Sequence, residues 1–126
     1  MENPIILIVE DHLITQDLTR LFFERHGFET ACANNGTAAL GWVQQHRFKL
    51  ILVDIGLPDY DGFALITLLK QYLPQARFIA ITAQYDAEML STAQQVGCVA
   101  LLEKPMTELT QIEGIPIVDY LSKLND

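Results

Sequence analysis

Three acids at two places in the sequence follow short apolar runs: Glu10 and Asp11 come after Ile5 to Val9, and Asp54 comes after Leu50 to Val53. Thr82 follows Phe78 to Ile81 in the same way, and Lys104 stands two residues beyond Val99 to Leu102. Carboxylates gathered at one place cannot all stay ionised unless their pKa values rise or a cation joins them. Mg²⁺ answers that need, because it takes hard oxygen ligands and usually keeps waters or shares phosphate oxygens. Beside such a cation, Asp54 can act as a covalent nucleophile toward phosphorus, provided the incoming charge is neutralised. The ammonium of Lys104 can follow one phosphate oxygen, and the hydroxyl of Thr82 can donate to another. Taken singly, each residue has an ordinary reading as a solvated strand end or a surface side chain. Their joint placement points to phosphoryl chemistry.

The elements that must position these residues can be read from periodicity. Apolar runs at Ile5 to Val9, Leu50 to Val53, Phe78 to Ile81 and Val99 to Leu102 have strand length and alternate with amphipathic segments, the pattern of parallel strands buried on both faces by helices. Phe28 to Cys32, which carries Glu29 and Thr30, reads as an edge strand. A first helix places Ile14, Leu18, Leu21, Phe22 and Arg25 at helical spacing and stops at Gly27. A second runs from about Thr37 to Gln45 with Ala39, Leu40 and Val43 inward. A third is capped by Asp61, buries Phe63, Ile66 and Leu69 or Leu73, and ends before Pro74. A fourth runs from the Asp86 cap to Gly97, and a last one from about Pro116 to Leu124 with Ile117, Leu121 and Leu124 on one face. Five βα units with right-handed crossovers predict an α/β, doubly wound, three-layer sandwich with parallel strands in the order 2-1-3-4-5. In such a sheet the ligand crevice lies at the carboxyl ends of the strands, where all five chemistry-bearing positions fall.

The 126 residues suit one domain, here taken as 1–126 with a less regular segment from about 106 to 126. Eight basic against 16 acidic residues give a net charge of −8, which disfavours direct contact with nucleic acid. No apolar run is long enough for membrane insertion, and Met1 to Pro4 offer no basic region of a leader, so a cytoplasmic location is expected. Cys32 and Cys98 lack any metal or redox spacing and read as buried reduced thiols. His12 adjoins the acidic pair and can tune it, while His26 and His46 lie near helix ends. All three are taken as structural.

The strings IILIVEDH, LILVDIGLPDYDGF, FIAITAQ and LLEKP, in that order, resemble the response-regulator receiver family over essentially the whole chain. The resemblance implies that Asp54 is the phosphorylated aspartate and that Glu10 and Asp11 are the metal-binding acidic pair for Mg²⁺. It also implies that Thr82 is the signalling hydroxyl and Lys104 the phosphate-pairing lysine. The backbone carbonyl of Gly56 joins the metal ligands on the same ground, and the Lys104–Pro105 peptide is expected to be cis. Implied partners are a sensor histidine kinase or histidine phosphotransfer protein as donor, and a downstream protein or output domain as receiver of the signal. A homodimer through the face of helix 4, strand 5 and the last helix also belongs to the family pattern. Two departures stand out: Leu101 occupies the usual place of an aromatic switch residue, and Met106 to Ile115 delay the last helix.

Three rivals make different demands. A phosphatase of the haloacid dehalogenase type needs a second aspartate two residues after the first, where this chain has Gly56. A flavodoxin-like binding module wants a loop of backbone donors after the first strand, where Glu10, Asp11 and His12 stand. A receiver turned constitutive interaction module would explain Leu101 and the tail, but not the intact set of five chemical groups. The chain is therefore expected to be a signalling phosphoacceptor, not a turnover enzyme.

Overall fold

The computed structural model describes residues 5–125. Five parallel strands, β1 (Ile6–Val9), β2 (Thr30–Ala33), β3 (Leu50–Asp54), β4 (Arg77–Thr82) and β5 (Ala100–Glu103), form one sheet in the order β2-β1-β3-β4-β5. Four helices connect them: α1 (Leu13–Arg25), α2 (Gly36–Gln45), α3 (Gly62–Tyr72) and α4 (Ala87–Val96). All four strand pairs are parallel, as crossover helices require. The expected architecture and strand order are those observed.

The sheet divides the core into two. One face packs Leu7, Val9, Ile51, Val53, Phe78, Ala80 and Leu101 against α2, α3 and α4. The other packs Ile6, Ile8, Leu50, Leu52, Ile79 and Ile81 against Phe22 and Phe23 of α1 and against the tail. Strands β1 and β3 are buried along their whole length, which explains their continuous apolar composition. The edge strand β2 alternates between half-buried and buried positions, and it begins at Thr30 where Phe28 was expected. Helix punctuation follows local chemistry: Asn35, Asp61 and Asp86 cap α2, α3 and α4 through side-chain oxygens, and Gly97 closes α4 at φ +90°.

The first helix corrects the expected inward face. Ile14 and Leu18 are 67% and 61% exposed and Leu21 is also exposed, whereas Gln16, Phe22 and Phe23 are buried. The sequence carries two stripes at helical spacing. The aromatic pair reaches the sheet, and the more conspicuous aliphatic stripe faces outward. In α3, Leu65 joins Ile66 and Leu69 in the core, while Phe63 and Leu73 are only half-buried.

The segment expected to be irregular has its own structure. β6 (Gln111–Ile112) and β7 (Ile115–Pro116) pair antiparallel around Glu113 and Gly114, at φ 54° and 77°. Successive left-handed residues make a two-residue turn whose twist suits a hairpin. Ile112 is fully buried by it, and α5 (Ile117–Ser122) with a following 3₁₀ turn buries Ile117, Tyr120, Leu121 and Leu124 in the same core. The last helix is thus six residues long and begins one residue after Pro116. Arg77 donates to the Tyr120 hydroxyl at 2.8 Å and ties α5 to β4.

Candidate functional site

Strands β1 and β3 are neighbours in register, with Val9 beside Val53, so the residues that follow them meet at one end of the sheet. Glu10 is 1% exposed and Asp54 6%, while Asp11 faces solvent. One carboxylate oxygen from each lies within 4.8 Å of the other two. Lys104 reaches across from the end of β5. Its Nζ donates to Asp54 Oδ2 at 3.0 Å and lies 2.7 Å from Glu10 Oε1. That second contact is a close ion pair that pairs the buried Glu10 Oε1.

Backbone donors complete the setting. Gly56 N–H donates to Asp54 Oδ1 at 2.9 Å, and His12 N–H donates to Glu10 Oε2 at 3.1 Å. Burial lifts the Glu10 carboxyl above its ordinary range, and the nearby Lys104 ammonium offsets this only in part. For Asp54 burial acts in the same sense, but Gly56 N–H, the Glu10 carboxyl and Lys104 together outweigh it and hold the group below its ordinary value. Lys104 loses by burial and gains more from the two acids, so its pKa is raised. At neutral pH the crevice therefore holds a charged lysine against an ionised Asp54, with Glu10 the acid that protonates first.

The donor set suits a small hard cation. Three carboxylates supply oxygens only, two of them buried, and the rim is open on the Asp11 side. Thr82 is 4% exposed at the end of β4, yet its hydroxyl donates to Gln84 O at 3.1 Å and accepts from Gln84 N–H at 3.2 Å. Met89 Sδ lies 3.7 Å away on the same side. The hydroxyl is thus engaged by its own loop. The Lys104–Pro105 peptide is cis, as expected.

Residues 6–115 match the family model for the response regulator receiver domain. The chain belongs to that family. It is 34% identical over 115 residues to the polar-differentiation response regulator DivK of Brucella anthropi, covering 87% of this chain and 91% of the relative. It is 31% identical over 105 residues to sporulation initiation phosphotransferase F of Bacillus subtilis, covering 83% and 85%. A response regulator from Burkholderia pseudomallei, solved with a phosphorylated aspartic acid, calcium ion and citrate, superposes with a TM-score of 0.80 at 23% identity and covers 98% of this chain and 75% of that one. At that identity the likeness speaks for the fold.

The receiver's crevice brings together Glu10, Asp11, Asp54, Gly56 and Lys104, with Thr82 at its edge turned toward Gln84. Sequence reading passed over two supporting residues, Gln16 and Asp59, and placed a third, Glu103, at the strand end without a specific role. Gln16, buried on α1, donates to Glu10 O at 2.9 Å and to Asn34 Oδ1 at 2.7 Å. Its signal was an amide seven residues before Phe23, on the same stripe. Asp59 accepts from Gly36 N–H, Thr37 N–H and the Thr37 hydroxyl at 2.8, 3.1 and 3.0 Å. Desolvation opposes these bonds, and together they still hold its carboxyl below the usual range. Glu103 accepts from Tyr85 N–H at 3.1 Å and so tethers the loop after β4. His12 proves to be the cap of α1, its side chain accepting from Thr15 N–H.

Proposed function

We propose that this receiver of a two-component or phosphorelay system accepts a phosphoryl group from phosphohistidine onto Asp54 and signals through protein contacts. The observation that carries this reading is the Lys104 ammonium held between Asp54 and Glu10, which places a cation where the phosphoryl charge must arrive. Asp54 Oδ forms a bond to phosphorus as the phosphorus–nitrogen bond of the donor imidazole breaks. The electron pair returns to that nitrogen, which then takes up a proton. Asp54 is suited to attack because its carboxyl is held ionised. Lys104 pairs with a phosphoryl oxygen, and Thr82 donates to another once its hydroxyl leaves Gln84. Glu10, Asp11, Asp54 and the Gly56 carbonyl are the residues that would hold Mg²⁺. When bound, the ion supplies positive charge that offsets the gathered carboxylates and the incoming oxygens.

The exposed stripe of Leu13, Ile14, Leu18 and Leu21 supports a protein donor, a sensor histidine kinase or a histidine phosphotransfer protein, docking beside the crevice. A downstream protein or output domain receives the signal. The proposed homodimer forms through the face of α4, β5 and the last helix, with a six-residue α5 in place of a longer one. The unit is read as 1–126, since Ile117, Tyr120 and Leu121 beyond the matched span complete the same core. The thiols of Cys32 and Cys98 are unpaired, which suits a reducing cytoplasm; they are half-buried where full burial was expected, and desolvation raises both pKa values, Cys98 to about 11.

The test is incubation of wild type and Asp54→Ala with a small acyl phosphate donor, with magnesium present and then chelated, followed by intact mass. Stoichiometric labelling of wild type that needs both Asp54 and magnesium is expected. Steady turnover of a phosphomonoester, or labelling that persists in Asp54→Ala, contradicts the proposal.

A further inference from the structure

The two walls of the acidic crevice belong to different βα loops, and both are fastened to one turn. Asn34 and Asn35 leave β2, and Gly36 and Thr37 open α2. On the β1 side, the buried Gln16 amide uses both hydrogens: one goes to Glu10 O and the other to Asn34 Oδ1. Glu10 N–H also donates to Ala33 O at 3.0 Å, immediately before the turn. On the β3 side, the loop from Ile55 to Asp61 carries Gly56, whose N–H binds Asp54. The far end of that loop is held by the Asp59 carboxylate, which takes three hydrogen bonds from Gly36 and Thr37.

A separate packing contact fixes the same end. The Tyr60 ring lies so close to Gly36 that a Cβ there would collide with it. At its base the loop is closed by a bridge between Gly56 and Asp61 and by Gly62, which leaves no room for a side chain over Ile55. The loop is therefore pinned at base and tip, and the tip is pinned to the turn that also receives Gln16.

We propose that the turn from Asn34 to Thr37 is a brace setting the separation of the two crevice walls, with Gln16 and Asp59 as its positioning residues. Among the described residues, neither side chain hydrogen-bonds the carboxylate oxygens of Glu10, Asp11 or Asp54. Gln16 acts through the Glu10 backbone, and Asp59 acts through the loop that presents Gly56. Outer partners that orient a metal's ligands typically contribute 10–100-fold to its affinity. The brace rests on the metal reading given above and extends it to residues outside the ligand set.

Magnesium affinity by titration calorimetry, with amide hydrogen exchange at Gly56 in magnesium-free protein, tests the brace in wild type, Asp59→Ala, Gln16→Leu and the double variant. Each single variant is expected to bind magnesium about tenfold more weakly and Asp59→Ala to exchange Gly56 N–H faster, with the far-ultraviolet spectrum unchanged. The double variant is expected to lose less than the product of the two single losses, because both changes cut the same link. Should either variant fold poorly, the near-isosteric Asp59→Asn and Gln16→Glu carry the same expectations. Wild-type affinity and exchange in the folded single variants overturn the brace. A wild type that binds no magnesium overturns the metal reading, and Gly56 exchange in Asp59→Ala then decides the brace alone.

Discussion

Lys104 is one positive charge facing two buried carboxylates, so its removal leaves the crevice with repulsion and no counter-charge. Lys104→Met is expected to lower stability by about 2 kcal/mol without divalent cations, less than the 3–5 typical of a fully buried pair because the lysine keeps some solvent contact. Magnesium should restore more stability to the variant than to wild type in thermal unfolding; equal increments would contradict the charge assignment. The two acids titrate with opposite signs. Glu10, raised above its ordinary 4.5 by burial, contributes stability that is full below that value and is lost as pH rises through its folded pKa. Asp54, held below its ordinary 3.8, contributes stability that is present above that value and is lost as pH falls through its folded pKa. Glu10→Gln keeps the second dependence and lacks the first. Its urea midpoint should therefore gain on wild type as pH climbs from 4.5, and parallel profiles would refute this ordering. Glu10, Asp11, Asp54, Thr82 and Lys104 were legible because each stands just past an apolar run, whereas Gly56 was legible only through the family resemblance. The state of Thr82 was not, since a side chain's rotamer depends on its surroundings, here Gln84 in the loop after β4 and Met89 on α4.

Helix α1 shows what periodicity can and cannot give at the scale of an element. Its existence and its stop at Gly27 followed from spacing and glycine chemistry, but two stripes competed for the sheet and the aromatic one won. Leu18→Asn should therefore change stability by less than about 0.5 kcal/mol, as at an exposed position. Phe22→Ala should cost about 3–5 kcal/mol, as in a packed core. Denaturant midpoints distinguish the two sites, and a large loss at Leu18 would restore the originally expected inward face. If the stripe docks the donor, Leu18→Asn should also slow phosphoryl transfer from a phosphohistidine protein while leaving labelling by a small donor unchanged. The hairpin of β6 and β7 escaped sequence reading for a different reason. Its strands are two residues each, too short to show alternation, and Glu113 is an uncommon choice for a left-handed position, so only Gly114 marked the turn.

At the scale of the whole molecule, one parallel sheet shares its strands between two apolar layers, so neither layer can lose its packing while the other keeps a complete sheet. Unfolding should be a single cooperative step. Trp42 fluorescence reports the α2 side and far-ultraviolet dichroism the whole backbone; the two curves should coincide, and separated midpoints would show the layers to be independent. The α/β class, the strand order and the crevice position were legible because buried parallel strands write continuous apolar runs and the crossover rule leaves few topologies. What was illegible is long-range: the ties from Gln16 and Asp59 to the α2 turn join residues 18 and 22 or more positions apart, and no local pattern announces them. The central claim is covalent, so it is tested most directly by locating the bond. After reaction with an acyl phosphate donor and magnesium, borohydride converts an aspartyl phosphate to homoserine and spares free carboxylates. Peptide mass mapping should find homoserine at position 54 alone. Conversion at another acid, or at none in folded magnesium-loaded protein, would contradict Asp54 as the phosphoryl acceptor.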